Sequence, residues 1–449
     1  MFLGEKCAVF GINSSAEVSN SIYEALHVLQ HRGQESAGIA TFDGSLYLYK
    51  GMGLVSEVFN RELLSTLKGT VGIGHVRYST AGVSALENAQ PLYLESKSLS
   101  IVIGHNGHVM NFEEIKSYLK SNGVKLSTTS DSEAIGALLL LKGNDFESAF
   151  EDIMRIIKGS YCLTILTSEG DLISVRDPLG FRPLSLGRNK TSFMTASETV
   201  AFDILNANHE RDVSPGELVY ISDGFECYKI CDSRIHRHCM FEFVYFARPD
   251  SIVENRLVYQ VREKIGRTLA REHPVDADLV VPVPESAVPA SIAYSNESGI
   301  PLALGLTKNR YVGRTFLMPY QEHRENAVHL KLNPMEKVLK GKSIVLLDDS
   351  IVRGTTSKRI VELVRSAGAK EIHMRIGCPP IKGPCFFGID IATKEELIAS
   401  FKTVEEIRKL LNADSLGYLS IEGLINSIGL PENELCIACL TGEYHYSIE

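Results

Sequence analysis

The chain has 449 residues, a formal net charge of −9, 44% hydrophobic and 22% charged residues. That is ordinary globular composition, sufficient for two to four domains at ~100–200 residues each, and its acidic balance argues against nucleic acid or an anionic membrane as the main partner. No apolar run approaches the ~18–20 residues of a membrane span, and MFLGEKC at the N-terminus lacks the basic leader and apolar core of a secretory signal, so a cytoplasmic location is expected.

Cys7 stands just ahead of AVFGI, a short apolar strand. The next segment, SIYEALHVLQH, carries apolar residues at i, i+3, i+4 and predicts a helix. Strand-type runs follow in YLYKGMGLV, GTVGIGHVRYST and LSIVIGHNG, then a second helix pattern, DSEAIGALLLL, then YCLTIL, DLISVRD and GELVYIS. Strands with helices between them predict sheets covered by helices. The character changes near residues 230–255, through HRHCMFEFVYFARPDS. Beyond it VYQVREKIGRTLAREH, ADLVVPVP, SAVPASIAYSNESG, KSIVLLDDS, TTSKRIVELVRSAG and EIHMRIGCP alternate helix with buried strand. That rhythm predicts a parallel, doubly wound sheet. The tail adds helix patterns in VEEIRKLLN and SIEGLINSIG, then Cys436-x-x-Cys439.

Nine cysteines, an odd number without a signal sequence, read as reduced thiols. His27 and His31 are spaced i, i+4, but Val28 stands where a zinc protease needs Glu, so the pair reads as helix packing.

The most specific chemistry lies in residues 342–368. An apolar strand ends in Asp348 and Asp349, and a loop holding Arg353, Gly354, Thr355 and Thr356 opens a helix. Backbone N–H groups at such a helix start cradle anions, helped by the helix dipole. Acids beside a phosphate cradle make sense when sugar hydroxyls or Mg²⁺ lie between them, so the stretch reads as a sugar-phosphate site. Nucleotide motifs fail: Glu336 stands where a Walker loop ending in Gly341-Lys342-Ser343 requires Gly. This stretch resembles the loop of the type I phosphoribosyltransferases that binds phosphoribosyl pyrophosphate (PRPP). The resemblance implies that the acids meet ribose hydroxyls and the loop holds the 5′-phosphate. VVPVPESA then matches a pyrophosphate loop and KNRYVGRTF a closing loop, with Lys308 and Arg314 as pyrophosphate cations. It also implies Mg²⁺ near Ser286, Asp348 and Asp349.

In the first half, Cys7 is followed by LQHRGQESAGIA, GHVRYSTAG, GHNGHVMN and TTSDSE. Singly these have plain readings: a buried thiol, a surface arginine, a turn at Asn106-Gly107, a helix N-cap at Asp131. In this order they resemble the class II glutamine amidotransferases, a branch of the N-terminal nucleophile hydrolases. A thiol at a true N-terminus has its own α-amine beside it, and that amine titrates near ~7.7–8.0, so it can act as the base. The resemblance implies Cys7 as nucleophile, Asn106 and the Gly107 N–H as oxyanion hole, Arg77 for the glutamine carboxylate and Asp131 for its ammonium. Residues 1–6 would then be a propeptide. One departure is Ala8, where relatives usually carry Gly.

The expected fold is therefore an αββα nucleophile-hydrolase sandwich over 7–235, then an α/β phosphoribosyltransferase domain with a cluster-binding tail over 236–449. The family that joins these halves releases ammonia from glutamine and passes it to C1 of PRPP. It commits purine synthesis, forms homotetramers and is inhibited by purine nucleotides. One branch holds a [4Fe–4S] cluster, and its ligand contexts match Cys239, Cys385, Cys436 and Cys439. A zinc site from HRHC with Cys436 and Cys439 remains open. Cys162, Cys227, Cys231 and Cys378 have no match and read as structural. Two other functions stay in view. An amidotransferase making amino sugars or asparagine would need an isomerase or ATP-binding half, and a PRPP-sensing regulator would leave the first half unexplained.

Overall fold

The computed structural model describes residues 7–78, 84–232, 235–309, 332–391 and 393–447. Two antiparallel sheets lie face to face in the first half. One has seven strands in the order Asn208–Asp212, Ser185–Arg188, Ser192–Ala196, Ala8–Ser14, Val71–Arg77, Ser36–Phe42, Leu46–Met52. The other has six: Phe225–Lys229, Glu217–Ile221, Leu172–Arg176, Gly159–Thr167, Ser100–Val109, Leu92–Glu95.

Strand alternation builds the layers. Val9, Ala40, Ile73, Val102 and Leu166 fill the space between the sheets. Ala8, Phe10 and Ile12 turn the other way, under the helices Ser19–Val28 and Val200–Ile204. The second sheet is covered outside by Phe112–Ser121, Asp131–Lys142 and Phe146–Ile156. Because both faces of the central strands are buried, these show little polar alternation, whereas the edge strands Leu46–Met52, Asn208–Asp212 and Phe225–Lys229 are partly exposed. The four-layer sandwich expected from the sequence is present.

In the second half, Leu279–Pro282, Ser343–Asp348, Glu371–Ile376 and Ser415–Tyr418 form a parallel sheet. Val345 and Leu347 face the helices Val258–Glu272 and Val288–Ser298, while Ile344 and Leu346 face Thr355–Ser366 and Val404–Leu411. The edge strand Ser415–Tyr418 is short and its Ser-Leu-Gly-Tyr carries no run of β-branched residues, so it gave no sequence signal.

The seam carried no predicted element. Its aromatic run forms a two-residue strand, His238–Cys239, and then a single π-turn over Glu242–Phe246. His238–Cys239 pairs in parallel with Leu435–Cys436, so the tail returns to the seam. Two helix-level readings also change. Ser130, not Asp131, caps its helix, accepting from the Ser132 N–H at 3.3 Å. His27 lies in the last turn of its helix, but His31 lies beyond it and meets Glu198 at 2.8 Å, so the two are not one packing pair.

Candidate functional site

Cys7 precedes the central strand Ala8–Ser14 and is 9% exposed. Its Sγ donates to the Tyr78 carbonyl at 3.6 Å. Burial pushes the thiol up to about 11, partly offset by that hydrogen bond and by Arg77, while Asp131 and Glu35 add to the rise. These residues therefore surround the thiol closely enough to feel its charge. The methyl of Ala8 packs into the helix-facing core with Phe10, so the departure from Gly is absorbed there.

Arg77 ends strand Val71–Arg77, buried, with its guanidinium on Glu35. Asp131 is the first residue of its helix, and its carboxylate accepts from the Val109 N–H at 3.0 Å. Asn106 and Gly107 lie on strand Ser100–Val109, and Asn106 Nδ2 donates to Ser197 Oγ at 3.5 Å. Burial lowers His75 to about 3 and also lowers His105, so both imidazoles are poor bases at neutral pH. A Cβ on Gly107 would stand 2.0 Å from the Ser160 carbonyl oxygen and 2.7 Å from His105 Nε2. Gly107→Ala is thus expected to destabilise the protein by about 1–3 kcal/mol, read as a lower Tm, because backbone must move.

The second cluster of chemistry lies at the carboxyl end of strand Ser343–Asp348, where ligands of open α/β sheets bind. A pocket there is lined by Tyr245, Asp348, Asp349 and residues 350 and 352–357. Gly354 adopts φ +77 as it enters helix Thr355–Ser366, a conformation that favours glycine. Ser286 donates to Asp349, Ser350 Oγ donates to its other oxygen at 2.7 Å, and the Asp349 N–H donates to Asp348 at 3.0 Å. Burial raises both carboxyls; the charge of Asp349 adds to the rise at Asp348, while Ser286, Ser350 and Arg262 oppose it at Asp349. Two buried adjacent acids with raised affinity for protons are a ready site for a hard cation.

Lys308 ends strand Leu306–Lys308 and pairs with Glu285 at 3.2 Å. Arg353 lines the pocket but its guanidinium also holds Glu396 at 2.7 Å. Arg314, the segment 311–316 and residues 1–6 lie outside the described residues.

The four matched cysteines come from three distant segments. Cys239 and Cys436 are paired neighbours, the Cys439 carbonyl accepts from Lys382 and Gly383 at 2.9 Å, and Cys385 follows two residues later. Burial raises every one of these thiols, Cys239 to about 11, and at Cys439 the other three raise it further. Tetrahedral zinc with Zn–S of ~2.3 Å would bring its sulfurs to about 3.8 Å. Among the described residues no three cysteines gather within 4.8 Å; the group that does is His236, His238 and Glu434. Of the thiols read as structural, Cys162 and Cys378 are fully buried, whereas Cys227 is exposed.

Known proteins resolve the pairing of these two sites. Residues 75–203 match the glutamine amidotransferase domain family, and residues 250–378 the phosphoribosyl transferase domain family. An amidophosphoribosyltransferase of Methanothermobacter thermautotrophicus is 53% identical, aligned over 98% of this chain and 94% of its own. The chain belongs to the amidophosphoribosyltransferases. The Bacillus subtilis amidophosphoribosyltransferase is 45% identical over 98% of this chain and 94% of its own. The solved B. subtilis glutamine PRPP amidotransferase, complexed with ADP and GMP, superposes with TM-score 0.92 at 43% identity, covering 99% of this chain and 98% of that one. A second solved structure, an allosteric regulatory enzyme of purine biosynthesis, gives 0.93 at 44% identity, with 99% and 97% covered. As a member of this family the protein catalyses the glutamine-dependent amination of PRPP in purine synthesis. Among the described residues no helix is long and apolar enough to cross a membrane.

Sequence reasoning missed the buried charges beside Cys7. Arg32 and Glu35 lie inside the quoted LQHRGQESAGIA, yet nothing in that string marks Arg32 as buried or Glu35 as the partner of Arg77. Tyr245 was read only as part of a cysteine context, and it lines the pocket at the end of strand Ser343–Asp348.

Proposed function

We propose that Cys7 opens the side-chain amide of glutamine and that the transferase pocket spends the released ammonia on PRPP. The observation that carries this is the environment of the thiol. It is buried, pushed up to about 11, and its hydrogen bond goes to a carbonyl rather than to a base. His75 and His105, whose imidazoles burial lowers, are bonded to the His105 carbonyl and to Ser132 instead. A free α-amine on Cys7 supplies the missing base. It takes the thiol proton as sulfur bonds to the amide carbon; Asn106 and the Gly107 N–H steady the oxyanion. The C–N bond breaks, ammonia leaves with that proton, and water cleaves the thioester to give glutamate. Arg77 and Asp131 hold the two ends of glutamine.

This chemistry requires a cut between Lys6 and Cys7, leaving a glutaminase unit over 7–235 and a transferase unit over 236–449. The intact mass of active enzyme is expected to begin at Cys7; full activity in a chain that keeps residues 1–6 would overturn the amine-as-base reading.

At the second site ammonia bonds to C1 of PRPP as the bond to pyrophosphate breaks, giving 5-phosphoribosylamine. Gly354, Thr355, Thr356 and Arg353 hold the 5′-phosphate. Lys308 and, by resemblance to the family's closing loop, Arg314 would supply the cations for pyrophosphate. Ser286, Asp348 and Asp349 fit Mg²⁺, which would neutralise charge on the leaving group. Ammonia in water at neutral pH is mostly protonated and then not nucleophilic, so a dry passage between the sites would keep what glutamine releases reactive.

Cys239, Cys385, Cys436 and Cys439 fit a [4Fe–4S] cluster that clips seam, sheet and tail together. Anaerobically purified protein is expected to be brown, with about four iron atoms per chain; a colourless, zinc-loaded protein would sink the assignment. By analogy with its relatives the enzyme is a cytoplasmic homotetramer inhibited by purine nucleotides.

A further inference from the structure

Beneath Cys7, where the two halves meet, lie four charged side chains that the reaction as derived does not use. Arg32, Arg182, Glu198 and Glu242 are each no more than 1% exposed. Arg32 forks onto Glu242, Nη1 and Nη2 each at 2.9 Å, and Nη1 also reaches Glu198 at 2.6 Å. Its third nitrogen, Nε, donates to the backbone carbonyl of Cys7, 3.3 Å away. Arg182 joins Glu242 at 3.2 Å and the Phe387 carbonyl at 2.5 Å. Two guanidiniums face two carboxylates, so the group is neutral as a set.

Desolvating four charges is expensive, and apolar residues of similar volume commonly hold a fold as well. Stability is therefore a weak reason for this group. Its connections suggest a better one. Glu242 opens the π-turn Glu242–Phe246, outside the glutaminase sandwich. The other side of that turn is pinned by Arg262, which donates to the Phe243 and Ala247 carbonyls at 2.9 and 2.8 Å. Between them, Tyr245 lines the phosphate pocket.

We infer that Glu242 is a positioning residue for the nucleophile: it locks the Arg32 guanidinium, which fixes the Cys7 carbonyl and so the rotation that sets Sγ and the α-amine against the substrate amide. The inference rests on Cys7 being the nucleophile. It makes the glutaminase site incomplete without a residue from the seam.

Charge gives a readout that packing would not. Cys7 faces Arg77, Asp131 and Glu35. Glu242 faces Arg32 and Arg182, with the Cys162 and Cys239 thiols nearby; His31, Arg248 and Ser251 face Glu198. Glu242→Gln leaves all of these in place and one positive charge in excess beside Cys7. That excess favours the neutral amine and moves its ionisation to lower pH.

The test compares mature wild type, Glu242→Gln, Glu242→Asp and Cys7→Ala, with glutamine or ammonium chloride as nitrogen source. Glu242→Gln is expected to lower glutamine-dependent kcat by about tenfold or more, with KM for glutamine within about threefold and ammonia-dependent turnover within about twofold of wild type. The acidic limb of its glutamine pH profile should move down by about half a unit or more. Glu242→Asp, which keeps the charge but shortens the reach, should lower the glutamine-to-ammonia ratio by about threefold without moving the limb. If Glu242→Gln does not fold, the Asp variant decides by the same ratio. Wild-type ratios, or equal loss with both nitrogen sources, would overturn the inference. Glutamine turnover surviving in Cys7→Ala would instead overturn the reading of Cys7 itself.

Discussion

Cys7→Ala is expected to lower glutamine-dependent synthesis of phosphoribosylamine by about 10³-fold or more, while ammonia-dependent synthesis stays within about twofold of wild type. The asymmetry follows from the architecture. Cys7 belongs to the glutaminase sandwich, and its side chain is small and buried. Alanine removes the sulfur but leaves the strand pairing of Ala8 to Asn13 with Val71–Val76 intact. No group of that second pocket depends on that sulfur, since Asp348, Asp349 and residues 353–356 belong to the parallel sheet of the second half and the loop and helix that follow it. Ammonia from solution then enters the second step directly. The measurement is steady-state pyrophosphate release with each nitrogen source. Loss of both activities would mean that the thiol holds the two halves together, and the division of labour would fail.

How far the sequence carried this depended on whether function was local. The Asp348–Thr356 stretch was legible because one strand, one loop and one helix hold all its parts, so adjacency in sequence is adjacency in space. Cys7, Arg77, Asn106 and Asp131 were legible only as an ordered set resembling known amidotransferases, since they come from separate elements. The charges that surround them were not legible. Glu242 is more than two hundred residues from Arg32, and a lone glutamate in an aromatic run gives no sign that it will be buried against two arginines. The π-turn that carries it has no periodicity to detect. The cysteines show both outcomes: Cys436 and Cys439 stood out by spacing, Cys239 and Cys385 only by resemblance to known ligand contexts, and the pairing of Cys239 with Cys436 emerged only when the tail folded back on the seam.

Asp348→Asn should do the opposite of Cys7→Ala in one respect and go further in another. Both nitrogen sources should fail together, by about 10²–10³-fold, because the acids and Mg²⁺ serve the step that glutamine and ammonia share. The same substitution is expected to raise the Tm of the ligand-free protein. Asp348 is buried, and burial and the charge of Asp349 raise its carboxyl well above the ordinary range. A carboxyl whose native affinity for protons exceeds its unfolded affinity costs stability wherever it must be ionised, above its unfolded value of ~3.9. That cost shrinks as pH falls through the raised native value. Asparagine removes it at neutral pH while keeping an acceptor for the Asp349 N–H. In wild type the two pH trends therefore run against each other. Lowering the pH relieves the folded, empty site, but it also protonates the acids that must hold the cation, so PRPP-dependent turnover falls. Mg²⁺ and PRPP binding should release protons, visible as binding heats that change with the ionisation enthalpy of the buffer. A variant with unchanged Tm and a wild-type ammonia-dependent rate would show that the pair is neither strained nor used. A variant that is more stable and inactive with both nitrogen sources would show that stability is spent at this site to keep two negative charges ready for the metal.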